Sequence, residues 1–393
     1  MPGTISNLMA ESLSDSLVNT LARQAGFALA GVAPVPPSGS GTSREERARF
    51  EQWIGSGAAG EMEYLKRRNE KGELLRSSLH AVFPWAKSVI VTVTNYNGSQ
   101  PHSIDPAAAD AAWIARYAQS GSPANGEELS RPSDYHKVLL KRLQTLDAAL
   151  KERHGAFESR CYVDTGPLVE RVYARYAGVG WTGKNTCILN QQLGSWLFLG
   201  VILTAIEIEP DPIPQLAADR CGSCTRCIDA CPTQALTPYQ MDATRCIAYL
   251  TIEKRGTIPE ELRAGIGRQV FGCDICQDVC PWNRKAPAAA DPDLTPRQAL
   301  VNPALDWLAA MKEEDFAQWF YGSPIKRAKF EGFRRNLAIA MGNSGLARSL
   351  PRLKEWARAD DETLRDAATW AIRKLTQTQT ASSVGQEAEE TSQ

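Results

Sequence analysis

The sequence has no run of about eighteen apolar residues, so no membrane-spanning helix is expected; its most apolar stretch, Trp196 to Ile206, is strand-length. It has no excess of charge either: 44 Lys and Arg stand against 45 Asp and Glu, a net charge of −1 over 393 residues. That balance excludes attraction of the whole surface to nucleic acid or membrane, and any basic patch must be local. Met1 to Ala10 show no basic stretch followed by an apolar one, so no signal peptide is expected and a cytoplasmic protein follows. Histidine is scarce, with four in the chain. Cysteine, at ten, is too sparse for a disulfide scaffold, yet eight of the ten lie between Cys221 and Cys280. With 43% hydrophobic and 23% charged residues the chain is of ordinary globular composition, and its length suits roughly two or three domains.

Ser14-Asp15 before Leu17, Leu21 and Ala25 reads as a capped helix, and Ala28 to Val35 as a strand. Pro34 to Ser43 is a loop, and the β-branched run Ser88 to Thr94 a buried strand. Residues 97–133 contain at least one flexible loop. Val138, Leu139, Leu143, Leu146 and Leu150 give Asp134 to Arg153 helical spacing. Ser159 to Val163 is a strand and Leu168 to Tyr176 a short helix. Thr186 to Asn190 and Trp196 to Ile208 are strands flanking a turn at Gln192 to Gly194. This alternation predicts an α/β or α+β domain over 1–210, closed by the Pro-rich stretch Pro210 to Pro214. A cysteine-rich module over 211–285 and a helical region over 286–375, entered through the linker Ala286 to Pro296, complete an α+β chain. Arg335 to Met341 and Arg365 to Ala371 resemble each other at a spacing of 30 residues, the pattern of a HEAT-like repeat or of two unrelated Ala-rich helices. The polar tail, 376–393, is expected to be disordered.

Cys221-x2-Cys224-x2-Cys227-x3-Cys231-Pro232 is the bacterial ferredoxin run that ligates [4Fe–4S] clusters. One run supplies three ligands to one cluster and a fourth to its neighbour, so a second is required. It appears as Cys273-x2-Cys276-x3-Cys280-Pro281, with one cysteine displaced upstream to Cys246. Exchange of the outer ligands assigns Cys221, Cys224, Cys227 and Cys280 to cluster one, and Cys231, Cys246, Cys273 and Cys276 to cluster two. The alternative is a pair of zinc sites, but zinc does not need the full spacing with its terminal Pro. Two adjacent clusters imply a one-electron relay toward another centre.

Three tempting motifs fail. Gly178-x-Gly180-x-x-Gly183 and Gly178-x4-Gly183-Lys184 require a strand before and a helix after, and the order here is reversed, with Asn185 where a P-loop has Ser or Thr. Asp134-x-His136-x-x-Leu139 lacks the Gly of the base-on cobalamin motif, so His136 is expected on a helix surface.

Val163-Asp-Thr-Gly-Pro-Leu-Val-Glu-Arg171, Gly178-x-Gly180-Trp181-x-Gly183-Lys184-Asn185 and the two cysteine runs together resemble the epoxyqueuosine reductases, over roughly residues 60 to 375. The resemblance implies an N-terminal α/β cobalamin-binding domain, a ferredoxin-like two-cluster module and a C-terminal HEAT-like region. It implies an enzyme that reduces the epoxide of epoxyqueuosine at the tRNA wobble position to give queuosine, with two [4Fe–4S] clusters and cobalamin as cofactors. The proton donor is then Asp164, which as an acid near neutral pH needs its pKa raised by burial beside the corrin. By sequence alone Asp164-Thr-Gly-Pro167 is equally a helix start. Arg76, Asp164, Ile188, Leu199, Ala248 and Asp274 fall at the family's corrinoid contacts; Ile188 and Leu199 would need no such role as core residues. Lys254 and Arg255 match positions used near the anticodon, and residues 320–375 hold 12 Lys and Arg against 6 Asp and Glu, a local basic patch for phosphate. The expected partners are tRNA bearing epoxyqueuosine and an electron donor such as a flavodoxin or ferredoxin system, with no membrane and a monomeric state. Two other classes remain for comparison. A reductive dehalogenase-like enzyme on a small molecule would need no basic repeat region. A non-catalytic iron–sulfur carrier would need no 210-residue domain ahead of its clusters.

Overall fold

The computed structural model describes residues 13–36, 40–122, 131–209 and 217–390. The expectations for Met1 to Ala10 and Pro210 to Pro214, and part of those for the loops at 34–43 and 97–133, lie outside the described residues. Ser14 caps the first helix, Asp15–Gln24, by accepting from the Leu17 N–H, as its sequence predicts.

Four strands form the central sheet in the order Leu29–Pro34, Ser88–Asn95, Leu197–Thr204, Ser159–Tyr162. Alternation sorts their side chains to two faces. Ile90 and Ile202 meet Leu139, Leu143, Leu146 and Leu150 of the helix Tyr135–His154. Val89, Val91, Val93, Val201 and Leu203 meet Leu168, Ala174 and Ala177 around the helix Glu170–Tyr176. A sheet covered on both faces explains why Ser88–Asn95 is buried almost throughout. Every pairing in it is antiparallel, so the layer belongs to the α+β class, not to parallel α/β. Periodicity reveals strands but not their direction. Gly31 permits this packing: a Cβ there would sit 2.2 Å from the Ala177 carbonyl oxygen.

One strand and one helix differ from the sequence reading. Ile188–Leu189 pairs with Trp181–Thr182 and not with the strand after the turn, which is closed instead by the bridge Asn190–Gly194. The helix expected from Leu168 begins at Glu170.

The regions read as successive domains share one core. Trp113–Ile114 pairs in parallel with Gln269–Phe271, and Ser120–Ser122 pairs with Thr295–Pro296 of the linker. Ala112, Ile114 and Ala118 pack with Ile247, Leu250, Phe271, Phe333, Leu337 and Leu364. The cysteine module and the helices after it therefore close around a hairpin-like excursion of the first 210 residues. The similar segments Arg335 to Met341 and Arg365 to Ala371 lie on adjacent packed helices, Lys329–Asn343 and Glu362–Glu390. They approach so closely at Gly342 that a Cβ would lie 2.8 Å from the Ala371 Cα. The last helix also corrects the expectation for the tail, running on to Glu390. Residues 376–390 are poor in large apolar groups but rich in Gln, Ala and Glu, with no Pro to stop a helix.

Arg335 is another correction. Counted from sequence as part of the basic patch, it is 1% exposed. Its guanidinium donates to the carbonyls of Leu250 (2.6 Å), Lys254 (2.9 Å) and Gly256 (2.7 Å). Asn336 beside it donates to Thr251 and Val270 carbonyls at 2.8 and 2.9 Å. Arg335→Met is expected to leave three carbonyls unsatisfied and to cost about 2–4 kcal/mol in urea unfolding; an unchanged midpoint would contradict this.

Candidate active site

The cysteine loops are held by the Gly-rich motif that had looked like a nucleotide site. Gly178 follows a helix and Trp181–Thr182 is a strand, so no helix N-terminus is present there. Lys184 Nζ instead donates to the carbonyls of Gly222 (2.6 Å) and Cys224 (3.1 Å), and Asn185 Nδ2 to that of Cys276 (3.3 Å). One turn thus clasps both cysteine runs. The second run is further tied to the N-terminal layer by Asp278, which accepts from Ser103 N (2.9 Å) and pairs with His102 Nδ1 at 2.7 Å.

All ten cysteines are unpaired thiols. Burial raises several of these thiols, and neighbouring thiols raise them further: Cys221, Cys227 and Cys187 act on Cys280, Cys221 and Cys224 on Cys227, Cys246 and Cys231 on Cys273, and Cys231 and Cys187 on Cys246. The Trp181 indole is buried against Cys221 and Cys280, and its N–H favours the Cys221 thiolate. Such a donor suits sulfur-rich surroundings. Cys187, which stands apart in sequence, is brought against Cys276, the side-chain contact that dominates the environment of both.

Asp164 lies on the loop after Ser159–Tyr162, with φ +57°. The helix that follows has Val169 as its N-cap, so Asp164 caps nothing. Its side chain is 71% open to solvent. Tyr135 Oη donates to Oδ2 at 3.3 Å, and His136 Nε2 is 3.8 Å from the same oxygen. The backbone N–H of Asp164 donates to Glu170 Oε1 at 2.8 Å. Burial pushes Asp164 up, but His136, Arg171 and the Tyr135 hydroxyl together hold it below the usual carboxylate range. That is opposite to the expected rise. Glu170, half-buried and facing Asp164, is pushed up to about 8 by desolvation and then by Asp164. His136, expected on a helix surface, turns out to be Asp164's neighbour because a loop far along the chain folds onto its helix.

The other expected residues are dispersed. Ile188 is buried in the sheet core that contains Leu168, with Leu199 packed against it. Asp274 is 2% exposed, accepting from Arg116 N (2.8 Å) and Trp113 Nε1 (3.2 Å); burial, then Asp278, raises it to about 7. Ala248 lies on the helix Ile247–Ile252 that follows Cys246. Tyr117 feels both Asp164 and Asp274, linking the acid to the second cysteine run. Arg76 donates to the Leu168 carbonyl at 3.2 Å and lines a cleft of about 1620 Å³ between the N-terminal layer and residues 217–245. Asp164, Ile188, Leu199, Ala248 and Asp274 do not line that cleft. Lys254 is ion-paired with Glu61, and Arg255 donates to the Arg327 carbonyl at 2.9 Å and through its own N–H to Glu61.

Two family profiles match: "4Fe-4S double cluster binding domain" over residues 220–283 and "Epoxyqueuosine reductase QueG, DUF1730" over residues 76–165. The epoxyqueuosine reductase of Xanthomonas campestris is 38% identical over 359 residues, spanning 90% of this chain and 94% of the relative. The chain belongs to the epoxyqueuosine reductase family. The Escherichia coli epoxyqueuosine reductase is 36% identical, over 84% of this chain and 82% of that one. A solved epoxyqueuosine reductase in complex with an epoxyqueuosine-modified tRNA-Tyr stem loop superposes with TM-score 0.77 at 29% identity, covering 92% of this chain and 89% of the other. A Bacillus subtilis epoxyqueuosine reductase, solved with its catalytic aspartate loop swung out of the active site, superposes with TM-score 0.75 at 28% identity, over 92% of this chain and 90% of that chain. As a family member the chain is an oxidoreductase with a double [4Fe–4S] cluster-binding domain. Among the described residues no helix is long and apolar enough to cross a membrane.

Proposed function

We propose that this epoxyqueuosine reductase acts on epoxyqueuosine at the tRNA wobble position, taking out the epoxide oxygen as water to leave queuosine. The observation that carries the reading is the open Asp164 carboxylate, inside a family scaffold whose solved relatives include a complex with an epoxyqueuosine tRNA stem loop and one with a catalytic aspartate loop.

Removal of the oxygen as water takes two electrons and two protons. Cys221, Cys224, Cys227 and Cys280 would hold cluster one, and Cys231, Cys246, Cys273 and Cys276 cluster two, within the double-cluster domain matched over residues 220–283. Bound clusters supply electrons singly, and a bound cobalamin supplies the reduced centre that accumulates them and acts on carbon. By their family positions Arg76, Ile188, Leu199, Ala248 and Asp274 would hold the corrinoid, beside the exposed carboxylate of Asp164. Asp164 delivers a proton to the leaving oxygen. Lys184 and Asn185 fix the two cysteine loops against the catalytic layer. Electrons enter from a flavodoxin or ferredoxin type of donor.

The test is anaerobic purification with added cobalamin. About eight iron and eight sulfide per chain are expected, with a corrinoid spectrum superposed; stoichiometric zinc without broad visible absorption would refute the reading.

The basic patch serves tRNA, reduced from its sequence count. Arg327, Arg348, Arg352 and Arg373 are spent on Glu253, Asp110, Glu355 and Glu260, and Arg335 is buried. Lys326 lies over Tyr321, and Arg334 over Phe330 and Trp356; neither is ion-paired among the described residues. Charge reversal at Lys326 and Arg334 is expected to weaken tRNA binding and flatten its salt dependence, since fewer counterions are released. Superimposable salt series for variant and parent would argue against the patch.

A further inference from the structure

We propose that His136 stores the proton that Asp164 delivers, so that the donor is a chain of Asp134, His136 and Asp164. This rests on the reading of Asp164 as proton donor. Asp134 caps the helix Tyr135–His154 by accepting from His136 N at 3.0 Å. The same oxygen lies 2.7 Å from His136 Nδ1, which fixes the ring so that Nε2 faces Asp164 Oδ2 at 3.8 Å. Stacking locks the ring further. Tyr135 lies 4.0 Å from the imidazole centroid and 4.2 Å from that of Phe198 in the sheet. The Tyr135 hydroxyl meets the same Asp164 oxygen. Glu170 touches the Asp164 backbone N–H, not its carboxylate, so it holds the loop in place.

The groups facing the imidazole are two carboxylates, Asp134 and Asp164. Burial lowers the His136 pKa, but those carboxylates outweigh it and raise it to about 9. Asp164 also faces Arg171, Tyr135 and Glu170. At neutral pH the pair thus holds one proton, on His136. An ion pair open to water is stable, but covering it removes hydration from two charges and favours the neutral form, with the proton on Asp164. Substrate arrival itself would then arm the acid.

The step balances. The Asp164 O–H bond breaks and its proton goes to the epoxide oxygen, while the C–O electron pair leaves with that oxygen. A bound corrinoid would supply the two electrons. Neutral His136, its side chain 31% exposed, then takes a proton from water at Nε2, and passage of that second proton through Asp164 turns the hydroxyl into water as the remaining C–O bond breaks.

With four histidines in the chain, imidazole NMR titration of the holoenzyme can assign His136 by the resonance lost in His136→Gln. His136 is expected to titrate near the raised value and to fall by about one unit or more in Asp164→Asn. In single-turnover reduction, His136→Gln is expected to fall about 10²-fold at pH 8 and to approach the parent near pH 5, where Asp164 can take its proton directly from water. A titration in the ordinary histidine range that ignores Asp164→Asn overturns the proposal, and so does a rate lowered equally at every pH. Either result beside an inactive Asp164→Asn enzyme refutes the proton store alone. An active Asp164→Asn enzyme refutes the donor reading on which it stands.

Discussion

Asp164→Asn is expected to keep its fold, iron and cobalamin and to lose roughly two to four orders of magnitude in single-turnover epoxide reduction, the usual worth of a positioned general acid. The substitution suits the site sterically. Asp164 sits at φ +57°, a left-handed conformation that Asn tolerates as well as Asp, and an amide oxygen can still accept from Tyr135. What is lost is the carboxyl proton. Because the following helix is capped at Val169, Asp164→Ala removes no cap, and its cost arises from the φ strain and the lost contacts to Tyr135 and His136. Melting and turnover measured on both variants separate the roles. Near-parental turnover in the Asn variant would take Asp164 off the catalytic list.

Cys246→Ala is expected to lose roughly half the iron and all turnover, while cluster one survives. Cys246 precedes the helix Ile247–Ile252, whose first N–H groups, those of Ala248 and Tyr249, favour its thiolate. It stands with Cys231 and Cys273, away from the Cys221 to Cys227 loop, so its loss opens only the second set. Cys224→Ala should do the reverse, sparing cluster two. Iron analysis with EPR of the reduced protein distinguishes the two. Full iron retention in Cys246→Ala would mean that another thiol completes the set, and Cys187, lying against Cys276, would be the first to examine.

The double-cluster domain over residues 220–283 was legible in the sequence because cluster ligands obey local spacing, while the assignment of Cys231, Cys246 and Cys280 rests on the logic of exchanged outer ligands. The motif around Asp164 was legible, but its surroundings were not. His136 lies 28 positions away, and nothing in the helical periodicity of Asp134 to Arg153 shows which loop will cover its first turn. The sign of the Asp164 shift was missed for that reason: without His136 only burial is visible, and burial alone would raise it. Arg335 teaches the same lesson. Charge can be counted along a chain, but a guanidinium buried against three carbonyls belongs to the core, and its partners at Leu250, Lys254 and Gly256 lie about eighty residues upstream. Strand positions were recovered closely at Ser88–Asn95 and Ser159–Tyr162. Strand direction depends on long connections, and so does the core shared between Ile114 and Leu337; neither leaves a periodic trace.

The most direct test of the central claim is nucleoside analysis of tRNA carrying epoxyqueuosine after incubation with the anaerobically prepared, cobalamin-loaded enzyme and a low-potential reductant. Conversion of epoxyqueuosine to queuosine, dependent on both clusters and lost in Asp164→Asn, is the predicted result. Epoxyqueuosine left intact by enzyme shown to hold both clusters and cobalamin would contradict it.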